Sequence, residues 1–262
     1  MFFKKIFKEN MQDGGTPWGV TVFNVGLVVL FVGVIVGLSV SANGLTFDFS
    51  FLGNFKVRIA DGFRMTIGLS VLSLVFSLAI GILAALGRQS HILFFRYLAG
   101  LYVTLLRGTP LIMQIYLFFY IIGTAWGIDN RFIAGVIILS AFEGAYIAEI
   151  IRGSLLSIDP SQMEAARACG FSPTQTARYI LLPQLTARTL PALTGQFASI
   201  IKDSSLLSII AVIELTQTMR EISASNFKLF ECYIFLGILY LCLTLPITYI
   251  SHRLERRFDY AR

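Results

Sequence analysis

Six stretches of the chain are long and apolar enough to cross a lipid bilayer as helices. Gly19 to Ser41 holds 23 residues without a charge, about 35 Å of helix, which covers the hydrocarbon core. Met65 to Leu86 is also charge-free, with Gly68, Ala79, Gly81, Ala84 and Ala85 spaced for close approach of a neighbouring helix. A third stretch, Tyr97 to Trp126, is interrupted by Arg107 and Pro110. The fourth, Phe132 to Ile151, carries Glu143 and Glu149, and the fifth, Leu190 to Ile213, carries Lys202 and Asp203; Cys232 to Ser251 is a sixth, uncharged one. Lys4, Lys5 and Lys8 before the first stretch and Ala42 after it would also suit a cleaved signal peptide. Its apolar core is longer than such peptides use, so a retained helix is expected.

Composition agrees with a bilayer as solvent. Hydrophobic residues make up 56% and charged ones 14%, with a mean hydropathy of +0.75, against about a quarter charged in soluble domains. The apolar stretches leave no length for a separate soluble domain. Cys169, Cys232 and Cys242 match neither a zinc-site nor a disulfide spacing, and His91 and His252 stand alone, so no metal is expected. The net charge of +6 is spread between apolar stretches rather than massed in one patch, which argues for topology and against nucleic acid.

That spread also orients the chain, because short loops rich in Lys and Arg stay in the cytoplasm. With six spans and an inward N-terminus, fourteen Lys and Arg residues fall on the inner side and six on the outer, with Lys202 inside a span. Both termini are expected in the cytoplasm. Residues 1–18 form a cytoplasmic N-terminal segment and residues 19–41 the first transmembrane helix.

The longest inner loop, Gly153 to Arg188, is written as two short helices. Asp159 suits an N-cap, Pro160 the first helical position and Gln162 a capping box, and Gly170 ends the helix in a left-handed turn. Ser172, Pro173 and Gln175 repeat the pattern for a second helix, expected to stop before Pro183. A DNA-binding helix-turn-helix tethered to spans on both sides could not reach a groove. An idle amphipathic loop on the lipid surface is the plainer alternative.

The string Glu164-Ala165-Ala166-Arg167-Ala168-Cys169-Gly170, followed by Leu181-Leu182-Pro183, closely resembles the E-A-A loop of binding-protein-dependent ABC importer permeases. Arg107-Gly108-Thr109-Pro110-Leu111 with Gln114, Gly144-Ala145-Tyr146 with Ala148-Glu149, Arg152-Gly153, Lys202-Asp203-Ser204-Ser205-Leu206 and Leu254-Glu255-Arg256-Arg257 resemble the branch that imports polar amino acids. The resemblance covers about Gly62 to Arg257 and does not reach the first span.

It implies an all-α, polytopic membrane helix bundle: a five-helix ABC importer permease core at 62–257, with a cytoplasmic coupling loop at 153–188, plus one extra N-terminal transmembrane helix. It further implies a bacterial inner-membrane location, two ATP-binding cassette ATPase subunits, a second permease (identical or sister), and an external solute-binding protein that delivers the amino acid. The coupling loop residues would be Glu164, Ala165, Ala166, Arg167, Gly170 and Pro183. No G-x-x-x-x-G-K-[ST] stretch occurs, so ATP is expected on the partner subunit, with no cofactor and no catalytic residue in this chain.

Charges inside a span cost about 2.5 to 3.5 kcal/mol each at the helix centre and therefore face a protein interior or a watery path. Glu149 is expected to pair with Arg152 one turn later. Glu143, deeper in the membrane, is the leading substrate-pathway candidate. Lys202 and Asp203 join it unless they neutralise each other, and Gln114, Ser204 and Ser205 could hydrogen-bond an amino acid or serve helix packing. The surplus of acids favours a neutral or cationic amino acid. An ion-gradient-driven secondary transporter is the alternative, although the two halves of the chain lack the self-similarity of inverted repeats. A channel or scaffold leaves the two-helix loop unexplained.

Overall fold

The computed structural model describes residues 18–42 and 46–259, excepting the side chains of 256–259. Of the expected segment 1–18, only Trp18 falls within them. The chain divides into two units, residues 1–50 and 51–262. The first contains α1 (Trp18–Ala42), 25 residues without a charge, about 37 Å long. Its polar side chains bond back to the helix, Asn24 to the Val20 carbonyl at 2.8 Å and Ser39 to that of Ile35 at 2.8 Å.

The second unit opens within a 3-10 turn (Ser50–Phe55), from its second residue on, and continues through α2 (Lys56–Arg88), α3 (Leu93–Gly108), α4 (Leu111–Tyr116) and α5 (Arg131–Leu156). Next come α6 (Ser161–Ala168), α7 (Pro173–Thr176), α8 (Leu182–Asp203), α9 (Leu215–Asn226) and α10 (Leu229–Asp259). Among the described residues, four helical segments, containing α1, α2, α5 and α10, are long and apolar enough to span a membrane. The pair formed by α3 and α4 with its π-helical continuation to Gly123 meets the test together, bent by 112°.

The bend has a local cause. Thr109 precedes a proline and is extended, at φ −126° and ψ 149°, as the ring of the following residue requires. Gln114 then clips the corner, its amide nitrogen donating to the Leu106 carbonyl at 2.8 Å, the Thr109 carbonyl at 3.2 Å and Thr109 Oγ1 at 2.8 Å.

Helix α2 buries a face of small residues, including Gly62, Thr66, Ser70, Ser73, Ser77, Gly81, Ala84 and Ala85. Such a face lets backbones approach closely enough for dispersion forces to hold helices together where lipid supplies no hydrophobic drive. A Cβ on Gly81 would lie 2.5 Å from Ile147 Cγ2 and 3.0 Å from the Gly144 carbonyl oxygen. One on Gly135 would meet Leu69 Cδ2 at 3.5 Å, and Arg88 contacts Glu149 at 2.7 Å. The pairings 69 with 135, 81 with 144 and 88 with 149 rise together, so α2 and α5 run parallel. The chain must cross back between them, and the bent α3–α4 pair is the segment that does so.

Helix α8 runs the other way. Arg188 meets Ser157 and Gln196 meets Glu143, while Leu207, just beyond α8, packs where a Cβ on Gly135 would lie. Helix α10 reverses again, its Ser251 donating to the Pro191 carbonyl at 3.0 Å and Tyr240 lying 3.0 Å from Thr216. The chain thus alternates direction through α2, the α3–α4 pair, α5, α8 and α10, although α8 is not among the segments that meet the spanning test by themselves, and the loop 153–188 shares one end of the bundle with the end of α2 and the end of α10.

The expected fifth span, Leu190 to Ile213, is not one helix. Helix α8 stops at Asp203, a 3-10 segment covers Ser204–Ile210, and Ala211 turns left-handed at φ 54°. Helix α9 follows where only an external loop was expected. Glu214 caps it, accepting from the Thr216 and Gln217 backbone N–H at 2.8 and 2.7 Å and from the Tyr240 hydroxyl at 2.9 Å.

Candidate functional site: a buried acidic pair and a coupling loop

Glu143 is fully buried on α5 and faces α8, whose Gln196 donates its amide N–H to Glu143 Oε2. The Asp203 carboxyl, two turns beyond Gln196 on α8, lies beside Glu143 as well. Two acids from two helices and one neutral amide thus meet between α5 and α8. Lys202 is exposed while Asp203 is half-buried. Ser204 is buried and bonds the Ile201 carbonyl at 2.8 Å, and Ser205 is half-buried. Gln114 lies apart, its donors committed to the α3–α4 corner. Gln196 was not anticipated; its seven-residue spacing from Asp203, two helical turns, was the available signal.

A second charged cluster lies at the coupling-loop end. Glu149 accepts from Arg152 Nε at 2.9 Å, as the spacing of three predicts, and also from Arg88 at 2.7 Å, with Arg107 Nη1 at 3.6 Å. Arg107 also lies over the Tyr146 ring, 5.3 Å from its centroid. Glu149 is six residues past Glu143, about 120° away around the helix, so this cluster faces α2 and α3 rather than α8.

The loop follows its capping signals at Asp159, Gly170 and Ser172, while the capping box expected of Gln162 does not form among the described residues. Asp159 accepts from the Ser161 N–H at 2.8 Å, which holds its carboxyl below the usual range. Gly170 sits at φ +76°, and the Phe171 N–H reaches back to the Ala166 carbonyl at 3.0 Å, a glycine-terminated helix end. Ser172 and Gln175 form the reciprocal capping box at 2.8 and 3.3 Å. Ala166 is buried, whereas Glu164, Ala165 and Arg167 are exposed, which leaves the charged face of α6 open.

One expectation is corrected here: the second helix does not stop before Pro183. Helix α7 widens into a π-helical turn, Ala177–Leu181, and passes straight into α8 with Pro183 in its first turn. A proline removes one N–H and crowds the carbonyl four residues earlier, and a widened turn at that point absorbs both effects. Arg188 Nη1 donates to the Ser157 carbonyl and, at 2.6 Å, to Ser157 Oγ, tying the two feet of the loop together.

Residues 77–260 match the family model described as "Binding-protein-dependent transport system inner membrane component". The chain belongs to that family. This permease is 38% identical over 216 residues to the glutamine transport system permease protein GlnP of Escherichia coli (strain K12), covering 81% of this chain and 98% of that one. It is 35% identical over 202 residues to the L-cystine transport system permease protein TcyB of Bacillus subtilis (strain 168), covering 77% and 86%. Its fold superposes with TM-score 0.76 and 33% identity on a solved amino acid ABC transporter crystallised with histidines, over 81% of this chain and 100% of that one.

The permease is therefore a membrane-spanning subunit of a binding-protein-dependent ABC importer, and its relatives are permeases of amino acid importers. It is not an enzyme, since ATP hydrolysis belongs to separate ATPase subunits, and a solute-binding protein is its other family partner. The ion-gradient alternative finds no support among these relatives.

Proposed function

We propose that this permease passes a neutral or cationic amino acid between α5 and α8, with Glu143 and Asp203 receiving its ammonium end. The observation that carries the reading is the meeting of fully buried Glu143, bonded to Gln196, with half-buried Asp203. A fully buried acid and a half-buried one beside a neutral amide are short of positive charge. A substrate ammonium, or a cationic side chain, supplies it through charge-assisted hydrogen bonds that low dielectric strengthens. An acidic amino acid would bring a side-chain carboxylate in addition to its α-carboxylate and be repelled. Relatives named for glutamine and cystine, and a relative crystallised with histidines, agree with that exclusion and leave the identity of the side chain to the pocket.

The working complex in this reading holds two permeases, identical or sister, on two ATPase subunits that bind ATP, in the bacterial inner membrane. Both termini are cytoplasmic. Glu164, Ala165 and Arg167 dock on the ATPase, while buried Ala166, Gly170 and Pro183 shape the loop behind them. To test the substrate site, Glu143→Gln and Asp203→Asn are assayed for uptake and for ATPase stimulation by the loaded binding protein, with assembly measured separately. The reading expects altered uptake or altered preference in a fully assembled complex. Normal uptake by both variants, or loss of assembly alone, refutes it.

A further inference from the structure

We propose that Arg88, Arg107 and Arg152, at the coupling-loop end of α2, α3 and α5, bind the phosphate of an anionic phospholipid in the adjoining leaflet. Three guanidiniums share a single carboxylate, Glu149, which leaves a surplus of two positive charges between three helices. Their side chains are 29%, 39% and 35% exposed, so each retains uncovered donors. Arg107 is the least engaged: its contact to Glu149 is 3.6 Å, and its planar group is held over Tyr146 with further N–H groups free to turn outward. A guanidinium matches phosphate oxygens in pairs, and basic pockets between membrane helices on the cytoplasmic side are suited to lipid headgroups.

The surroundings favour a lipid over a dissolved anion. At the same end of the bundle, Leu83 and Leu86 of α2 and Phe94 and Leu98 of α3 are exposed, by 69%, 62%, 68% and 52%. Acyl chains cover such a surface, and the headgroup belonging to those chains then lies at the level of the cluster. The inference rests on the membrane-spanning fold and on the shared end of α2 and α5, and is independent of what the acid pair carries.

The test uses the assembled, full-length importer in detergent, titrated with palmitoyl-oleoyl phosphatidylglycerol or with the zwitterionic phosphatidylcholine of the same chains, bound lipid being read by native mass spectrometry. Phosphatidylglycerol is expected to bind the more tightly. Arg107→Gln and Arg88→Gln are each expected to weaken it by about fivefold, the effect of about one basic residue at a membrane surface, with phosphatidylcholine unchanged. Should Arg88→Gln fail to assemble because it also uncovers Glu149, Arg107→Gln carries the test alone. Equal retention of the two lipids by the parent complex, or unchanged preference in Arg107→Gln, overturns the proposal. Displacement of the bound lipid by inorganic phosphate at matching concentration overturns it too, since it would show a site for a free anion.

Discussion

Gly81→Ala adds a single methyl where α2 crosses α5, and its consequences can be worked from distances. The new carbon would stand 2.5 Å from Ile147 Cγ2, 2.7 Å from Ile147 Cβ and 3.0 Å from the Gly144 carbonyl oxygen. Carbon atoms rest at about 3.5 to 4.0 Å, so the helices must part by about 1 Å. Ile147 cannot swing aside, being fully buried with a β-branched side chain. Overpacking of this kind costs about 1–3 kcal/mol, and here dispersion is the main force being lost. Ile147→Ala alone leaves a cavity, at about 2–5 kcal/mol.

The double variant Gly81→Ala/Ile147→Ala lets the new methyl occupy part of that cavity. It should be more stable than the sum of the single effects by about 0.5–3 kcal/mol, the range for residues in direct contact. Relief stays incomplete because the Gly144 oxygen does not move with Ile147. The assay is unfolding of the purified complex in mixed micelles at rising dodecyl sulfate, read by circular dichroism for the parent and all three variants. Strict additivity, or a Gly81→Ala variant as stable as the parent, would show that α2 and α5 do not approach as closely as this geometry requires.

Two further outcomes are expected. Gly170→Val places a β-branched residue at φ +76°, a conformation that costs about 1–2 kcal/mol for a side-chain-bearing residue. The variant should insert normally yet lose stimulated ATP hydrolysis and uptake, and full uptake would mean the loop is idle. In a cysteine-free background, single cysteines at Asp129 and Ala224, both exposed beyond the end of the bundle opposite the coupling loop, should react with an impermeant external thiol reagent while Thr174→Cys does not; external labelling at Thr174 would reverse the assigned orientation.

The parts of the fold legible in the sequence are those written in local chemistry. Long apolar stretches marked α1, α2, α5 and α10, and Gly170, Ser172 and Gln175 marked the loop geometry because each residue type has a steric or hydrogen-bonding reason to be there. Helix α9 was hidden because its borders are set by Ala211 and Phe227 at φ 54° and 59°, positions that lack the glycine a reader looks for. Pro183 was read as a stop, whereas the wider turn before it lets the helix continue. Glu149 and Arg152 were paired by spacing, but Arg88 and Arg107 sit 61 and 42 positions away in sequence from Glu149, and only packing brings them in. Glu143 announced itself as a buried charge; its neutral partner Gln196 did not, since an amide in a span carries no comparable penalty.

The continuity of α7, the π-helical turn and α8 bears on how ATP hydrolysis reaches the substrate site. From Pro173 to Asp203 the backbone is helical without a break, so the second half of the coupling loop and the two α8 residues of the acid site belong to one rod. On the other side, α6 is separated from that rod by the left-handed turn at Gly170, and α5 meets it through side-chain contacts such as Arg188–Ser157 and Gln196–Glu143. Glu143 therefore rides on one body and Gln196 with Asp203 on another. In the proposed complex, a displacement of the loop by the ATPase would slide the second past the first and change the spacing of the two carboxylates. Coupling of this form needs a stiff element that both ends can bias, and a site whose halves lie on opposite sides of the moving boundary. The proposed route meets both conditions: a cation held while Glu143 and Asp203 face one another loses a ligand when they part, so release follows from the same movement that the nucleotide drives.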